Sequence, residues 1–181
     1  MRRNILSILF CFALIQHACK KPDTALTRNQ DATDVCALLK ADEIEAIRGS
    51  PVKETRRSEN SEEALRVAQC HYSAAQSDKS VSLILTEPNL KFPGSRSAKE
   101  LWRRTFEEHD VESEREERES APPRKIDGIG QDAYWFGGPG AGALYVLKND
   151  SFIRLSLAGP EDDETKINKS KALAEKILPR L

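Results

Sequence analysis

The clearest chemistry in this chain belongs to Cys19, which follows Ala18 at the end of an apolar run from Ile5 to Ile15 that Arg2 and Arg3 precede. A charged start, a hydrophobic stretch of about 7–15 residues and a small residue before the cut mark a secretory signal peptide, and so short a run cannot cross a bilayer core of about 30 Å as a helix. The chemistry expected is cleavage after Ala18 and acylation of Cys19. Gln16 departs from the Leu usual three residues before a lipidated Cys, and also from the small residue that an ordinary signal peptidase wants there. A plain secreted or soluble periplasmic product therefore stands as the alternative. Acyl chains contribute about 0.8 kcal/mol per buried methylene, and two or three of them hold a protein on a membrane stably.

Of the four cysteines, Cys11 falls in the removed segment and Cys19 takes the lipid, which leaves Cys36 and Cys70. In an oxidising envelope two remaining cysteines read as one disulfide, with two buried thiols as the alternative. No Cys-x-x-Cys pair is present to lower a thiol pKa for redox work. With His17 removed, the histidines are His71 and His109, and neither has a partner at metal-ligand spacing. A zinc site from Cys36, Cys70, His71 and His109 can be written down, but forming the disulfide would abolish it, so no metal is expected.

Two glycine motifs invite nucleotide chemistry. Gly128-Ile129-Gly130-Gln131-Asp132-Ala133 satisfies G-x-G-x-x-A, which binds a dinucleotide only between a strand and a helix. Here Pro122-Pro123 precede it and Tyr134-Trp135-Phe136 follow, so the helix that would hold a pyrophosphate is missing and no cofactor is expected. The cluster from Gly137 to Gly142 lacks the Lys-Ser/Thr ending of a phosphate loop and reads as a hairpin between strands. No G-x-S-x-G elbow is present for a hydrolase. The aromatic run Tyr134-Trp135-Phe136 beside this hairpin is the candidate ligand groove, and alternation in a sheet makes core packing its competitor.

The elements that must position these residues follow from periodicity. Val35 to Arg48 reads as the first ordered element: Cys36 to Leu39 makes an apolar turn, and Ala41 to Arg48 places Ile44 and Ile47 on one helical face, with Gly49 then Pro51 as the stop. Lys53 to Glu63 reads as a charged, exposed loop. Leu65 to Ala74 alternates, with Ala68, Cys70, Tyr72 and Ala74 on one face, and Val81 to Leu85 is a second strand joined to it by a hairpin. A Pro/Gly-containing connection from Pro88 to Gly94 leads to Ser97-Ala98-Lys99-Glu100, a capping box that opens a helix carrying Ala98, Leu101, Trp102, Thr105 and His109. The acidic run Glu107 to Glu119 lacks the alternating Asp/Asn-and-Gly loop that wraps calcium and reads as a solvated helix extension or flexible loop. Strands at Ala133 to Phe136, Ala143 to Leu147 and Phe152 to Leu157 come next, with Lys148 to Ser151 as a hairpin loop. A closing helix from about Asp163 carries Ile167, Ala174, Ile177, Leu178 and Leu181 on one stripe.

The expected fold class is α/β, more strictly α+β: a single domain with a largely antiparallel five- to six-stranded sheet, flanked by about three helices that cover its apolar face. Residues 1–18 are the signal peptide, 19–30 a flexible polar tether, and 31–181 the domain, whose length suits one compact core. Cleavage removes two of the 28 basic side chains and none of the 29 acidic ones, leaving a net charge of about −3 that argues against nucleic acid as a partner.

The spacing Cys36-x-Leu38-Leu39 with Glu43 and Gly49, then Cys70-x-Tyr72, Gly128-Ile129-Gly130-x-Asp132-Ala133-Tyr134, a strand hairpin and a closing Ala172-Leu173-Ala174 helix resembles a family of uncharacterised secreted bacterial lipoproteins. That family is similar to the extracellular sensor domain of a mycobacterial serine/threonine kinase. The resemblance covers most of residues 34–181. It implies a helix-flanked, largely antiparallel sheet with the two cysteines bridged and no enzymatic activity, and it carries no binding residues over.

These readings converge on a non-catalytic, lipid-anchored cell-envelope protein that faces the periplasm or the exterior. It would meet the membrane through Cys19 and bind an unknown envelope protein or small ligand. A secreted enzyme, for which Tyr134, Trp135 and His71 would be the first residues to inspect, and an accessory subunit of an envelope complex are the alternatives.

Overall fold

In a computed structural model, alternating residues of the middle strands face two different cores, and this organises the rest of the molecule. The structure describes residues 32–61, 64–92, 94, 96–107, 122–138 and 141–181. The signal peptide, Cys19, the tether, His109 and most of the acidic run Glu107 to Glu119 lie outside the described residues. From Thr33 to Leu181 the chain forms one compact unit.

The first ordered element, Val35 to Arg48, is the expected turn followed by a helix. A 3-10 turn, Val35–Leu38, starts where the Asp34 carboxylate accepts the Cys36 N–H, and α1, Ala41–Arg48, restarts where Glu43 accepts the Lys40 N–H. Lys40 between them is extended, so the apolar turn and the amphipathic helix are each capped locally rather than continuous.

Seven strands follow, against five or six expected: β1 Val52–Ser61, β2 Leu65–Ala74, β3 Val81–Pro88, β4 Arg124–Lys125, β5 Asp132–Gly138, β6 Ala141–Lys148 and β7 Ser151–Leu157. Their order is β1-β2-β3-β7-β6-β5-β4, with every neighbouring pair antiparallel. Two meanders thus meet at the β3–β7 pair, the one long-range junction of the sheet. The additional strands are its two edges. β1 occupies the segment read as a loop, because all but its first residue are exposed and no inward-facing apolar set is left to give an alternation. Its Lys, Glu and Arg side chains also suit an outermost strand, where charge discourages edge-to-edge pairing.

Helices α2, Ala98–Phe106, and α3, Asp163–Ile177, lie on opposite faces of the sheet, a difference from the single covered face expected. Leu83, Leu85, Leu144, Val146, Ile153 and Leu155 point to the main core with Ile44 of α1 and Leu173 and Ile177 of α3. Tyr134, Phe136, Tyr145, Leu147 and Phe152, which alternate with these on β5–β7, instead surround Trp102 and Phe106 of α2. The two-sided apolar character of β5–β7 requires two covering layers. Gly137 and Gly142, partners across β5–β6, complete the main core's rim. A Cβ on Gly142 would lie 2.2 Å from Trp135 Cζ2, so the indole takes the space that two side chains would otherwise occupy.

Three carboxylates anchor the unit's loops and ends. Glu43, bonded by Arg180, and Glu59, bonded by Arg66 and then Arg57, are each lowered to about 2. Burial pushes Glu161 up, but hydrogen bonds from Lys169, Arg48 and Lys79 outweigh it and hold this group too at about 2. A folded-state pKa below the unfolded value contributes stability that is present above the unfolded pKa and lost as pH falls through the folded one. The protein is therefore expected to hold its full stability above about pH 5 and to lose it progressively from about pH 4.5 toward pH 2. Urea midpoints measured across that range check this; a midpoint unchanged down to pH 2.5 would contradict it.

Candidate functional site

The three residues of the candidate groove do not share a surface. Trp135 is 2 % exposed in the main core, whereas Tyr134 and Phe136 face the other way beneath α2. Phe106 stacks on Tyr134 with ring centroids 5.0 Å apart and meets Phe136 edge-on at 5.6 Å, and Trp102 approaches Tyr134 at 5.9 Å. Trp102 Nε1 donates to Asp132 Oδ2 at 3.3 Å, which gives the indole its polar partner at the rim of this aromatic layer. The Ser97 cap places α2 for this contact: its hydroxyl accepts the Glu100 N–H and donates to Asp150 in the β6–β7 turn at 2.6 Å. An aromatic run in a strand splits between faces, and here both faces are covered.

His71, the third residue to inspect for catalysis, stands on β2, on the face that carries Tyr134. Four inter-strand spacings separate β2 from β5, about 19 Å, so the structure does not bring His71 and Tyr134 together. Cys70 and His71 are adjacent in β2 and point to opposite faces. The Sγ atoms of Cys36 and Cys70 lie at disulfide distance with their Cα atoms 5.3 Å apart, and Tyr72 Oη donates to the Cys36 carbonyl oxygen at 3.2 Å from the same face. Among the described residues no three His, Cys, Asp or Glu side chains gather as metal ligands would. Gly128 and Gly130, both at positive φ, form a bend that runs directly into β5, and a Cβ on Gly130 would meet the Leu147 carbonyl oxygen at 2.7 Å. This motif's glycines serve a close backbone approach at the sheet.

Where α2 ends its coverage, the same sheet face becomes polar. Arg56, His71, Ser82 and Ser156 are successive cross-strand neighbours on β1, β2, β3 and β7, and Ser58, Gln69, Ile84 and Arg154 form the next row. Gln69 Nε2 donates to Ser82 Oγ at 3.0 Å, and Arg154 Nε donates to Tyr145 Oη at 2.9 Å while its guanidinium lies over that ring. Ser156 Oγ is buried with no hydrogen-bond partner. Among the described elements only α2 packs on this face, and its contacts are with the β5–β7 half and the near side of β3. The outer rows on β1 and β2 are exposed or half-buried. This half-face, with alternating donors, acceptors and one cation at its edge, is suited to recognition of a polar partner. Sequence reading treated β1 as a loop and so could not assemble these rows.

Among the described residues, the opposite side of the molecule holds two buried polar atoms without hydrogen-bond partners, Trp135 Nε1 and Ser170 Oγ, and a buried lysine, Lys166, which is 2 % exposed. Lys166 and Ser170 are one turn apart on α3, placed by the same amphipathic period that buries Ile167 and Leu173.

No protein-family model matches the chain, and no curated protein or solved structure matches it either.

Proposed function

We propose that this chain is an exported, lipid-anchored envelope protein without catalytic activity, whose domain binds a partner protein or small ligand through the polar half-face of β1–β3. The observation that carries the reading is the Cys36–Cys70 pair at disulfide distance, in a domain that follows a leader of export type ending at Cys19. Such a pair persists in oxidising compartments and is rare where thiols are kept reduced. The same pairing supports the likeness to secreted lipoproteins. The half-face supports the binding role, since it presents polar side chains, Gln69 and Ser82 hydrogen-bonded to each other among them, on a rigid sheet rather than on loops.

Intact and tryptic mass spectrometry of the membrane-extracted, unreduced protein tests the anchor and the disulfide together. A mature N-terminus at acylated Cys19, with the peptides of Cys36 and Cys70 linked, is the outcome expected. An unmodified N-terminus in the soluble fraction would overturn the anchor, and free thiols would remove the observation on which the reading rests. A photo-crosslinker at Ser58, on the half-face, should capture the partner where one at Lys176, on α3, does not. Equal capture at both positions would remove the half-face as the binding surface.

A further inference from the structure

After β3 ends at Pro88, the chain makes a short excursion that is pinned at both ends to one atom. The N–H groups of Asn89 and Arg96 both donate to the Ala64 carbonyl oxygen, at 3.2 and 3.1 Å. Between them Asn89 organises a turn: its side-chain oxygen accepts the Lys91 N–H at 3.3 Å and its carbonyl accepts the Phe92 N–H at 3.0 Å. The turn holds two large apolar side chains in solvent. Leu90 is 62 % exposed and Phe92 37 %, with Lys91 and Arg96 exposed beside them. Leu90 is the most exposed of the large apolar residues described, and an apolar pair presented by a hydrogen-bonded turn is not a stray surface residue.

The folded unit begins at this same end of the sheet. Thr33 Oγ1 donates to Glu87 Oε2 at 3.0 Å, and Glu87 is the residue of β3 just before Pro88. Cys19 lies fourteen positions before Thr33. Fourteen residues of chain, whatever their conformation, reach at most about 50 Å. An anchor at Cys19 therefore keeps the Pro88 end of the sheet within a domain's length of the bilayer, at a high effective concentration of lipid surface.

We infer that the Asn89–Phe92 turn, with Arg96 beside it, contacts the membrane: Leu90 and Phe92 enter the headgroup and acyl boundary of the bilayer that carries Cys19, while Lys91 and Arg96 stay among anionic headgroups. The inference rests on the lipid-anchor reading proposed above. Apolar tips flanked by cations are what interfacial binding uses. Two side chains on a turn fall far short of the roughly 1,200 Å² that a stable protein interface buries, which sets a second copy or a folded partner aside as the occupant.

The test compares the full-length acylated chain carrying Leu90→Trp with the same chain carrying Gln76→Trp, in vesicles of phosphatidylcholine and phosphatidylglycerol with brominated acyl chains. Gln76 is exposed in the β2–β3 connection at the opposite end of the sheet. Trp102 and Trp135 are buried in both variants and contribute a common background. Tryptophan at position 90 should be blue-shifted and quenched at least roughly twofold more strongly than at position 76, as expected for a group seated about 5–10 Å into the interface. Equal emission from the two variants would overturn the loop assignment. The mass of the chain reports acylation separately. If Cys19 proves unmodified, the anchor reading fails on its own, and the same pair of variants with Cys19→Ser, titrated with added vesicles, decides the loop: selective quenching at position 90 keeps it and its absence removes it.

Discussion

Arg48→Met should destabilise the protein by about 3–5 kcal/mol, chiefly because buried carbonyl oxygens lose their donor at about 1–3 kcal/mol each. Arg48 ends α1, and its side chain is fully buried. The guanidinium satisfies four acceptors from two separate segments. Nε donates to the Lys79 carbonyl oxygen, Nη2 to those of Asp78 and Ala158 at 2.9 and 2.6 Å, and Nη1 to Glu161 Oε2 at 2.6 Å. A planar fork fixes the C-terminus of α1, the β2–β3 turn and the β7–α3 connection in one arrangement. Methionine fills similar volume but leaves three carbonyl oxygens and one oxygen of Glu161 without their donor. Lys79 and Lys169 remain on the other oxygen of Glu161, so the carboxylate stays partly compensated and the loss is not that of an isolated buried charge. For a domain of this size the fall in melting temperature should be roughly 6–20 °C. Thermal melts of the wild type, Arg48→Met, Glu161→Gln and the double variant measure it, and the cycle separates the ion pair from the carbonyl contacts. A loss below 1 kcal/mol for Arg48→Met would mean that water replaces the guanidinium at little cost.

That network illustrates what a sequence discloses and what it withholds. Strands β2, β3, β5, β6 and β7 were legible because each carries an inward apolar set with period two, and α2 because Ser97 and Glu100 announce its start before Ala98, Leu101, Trp102 and Thr105 follow at helical spacing. Arg48 looked like an ordinary basic residue near a helix end. Its partners stand 30 to 113 positions away, and nothing local distinguishes a guanidinium that will be buried from one that will be solvated. β1 was hidden for the opposite reason. With both faces open it has no alternation to display, and it is a strand because β2 pairs with it from Val52 to Ser61. Losing β1 also concealed the polar rows through Arg56 and Ser58, which are continuous only across paired strands. The aromatic run from Tyr134 to Phe136 was visible, yet its residues divide between two layers because period two applies to aromatics as to any side chain. Helices on both faces were implied by Ala143 to Leu147, which is apolar throughout; a strand with one wet face would have interrupted that run.

Replacing both cysteines, Cys36→Ala with Cys70→Ala, should cost about 3–4 kcal/mol, the chain-entropy value for a closed loop of about 35 residues. The size of the effect follows from what the loop contains. Between the two cysteines lie α1, eight residues long, and β1, whose ten residues are exposed apart from the half-buried Val52. This stretch buries little apolar surface of its own beyond Leu38, Leu39 and Ile44, so a covalent link that limits its unfolded conformations is a large fraction of its stability. Cys70 is fully buried in the middle of β2, held by Leu83 across the β2–β3 ladder and by Arg57 across the β1–β2 ladder, and alanine there leaves only a small void. The Tyr72 hydroxyl on the Cys36 carbonyl oxygen still ties the 3-10 turn to β2 after the link is gone, which is why loss of stability rather than loss of fold is predicted. The melting temperature should fall by roughly 6–16 °C, and the wild type treated with reductant should melt where the double variant does. A reductant effect within about 1 °C would identify the pair as thiols in contact and would leave export without its structural support, whereas coincidence of the reduced wild type with the variant would assign the whole difference to one bond.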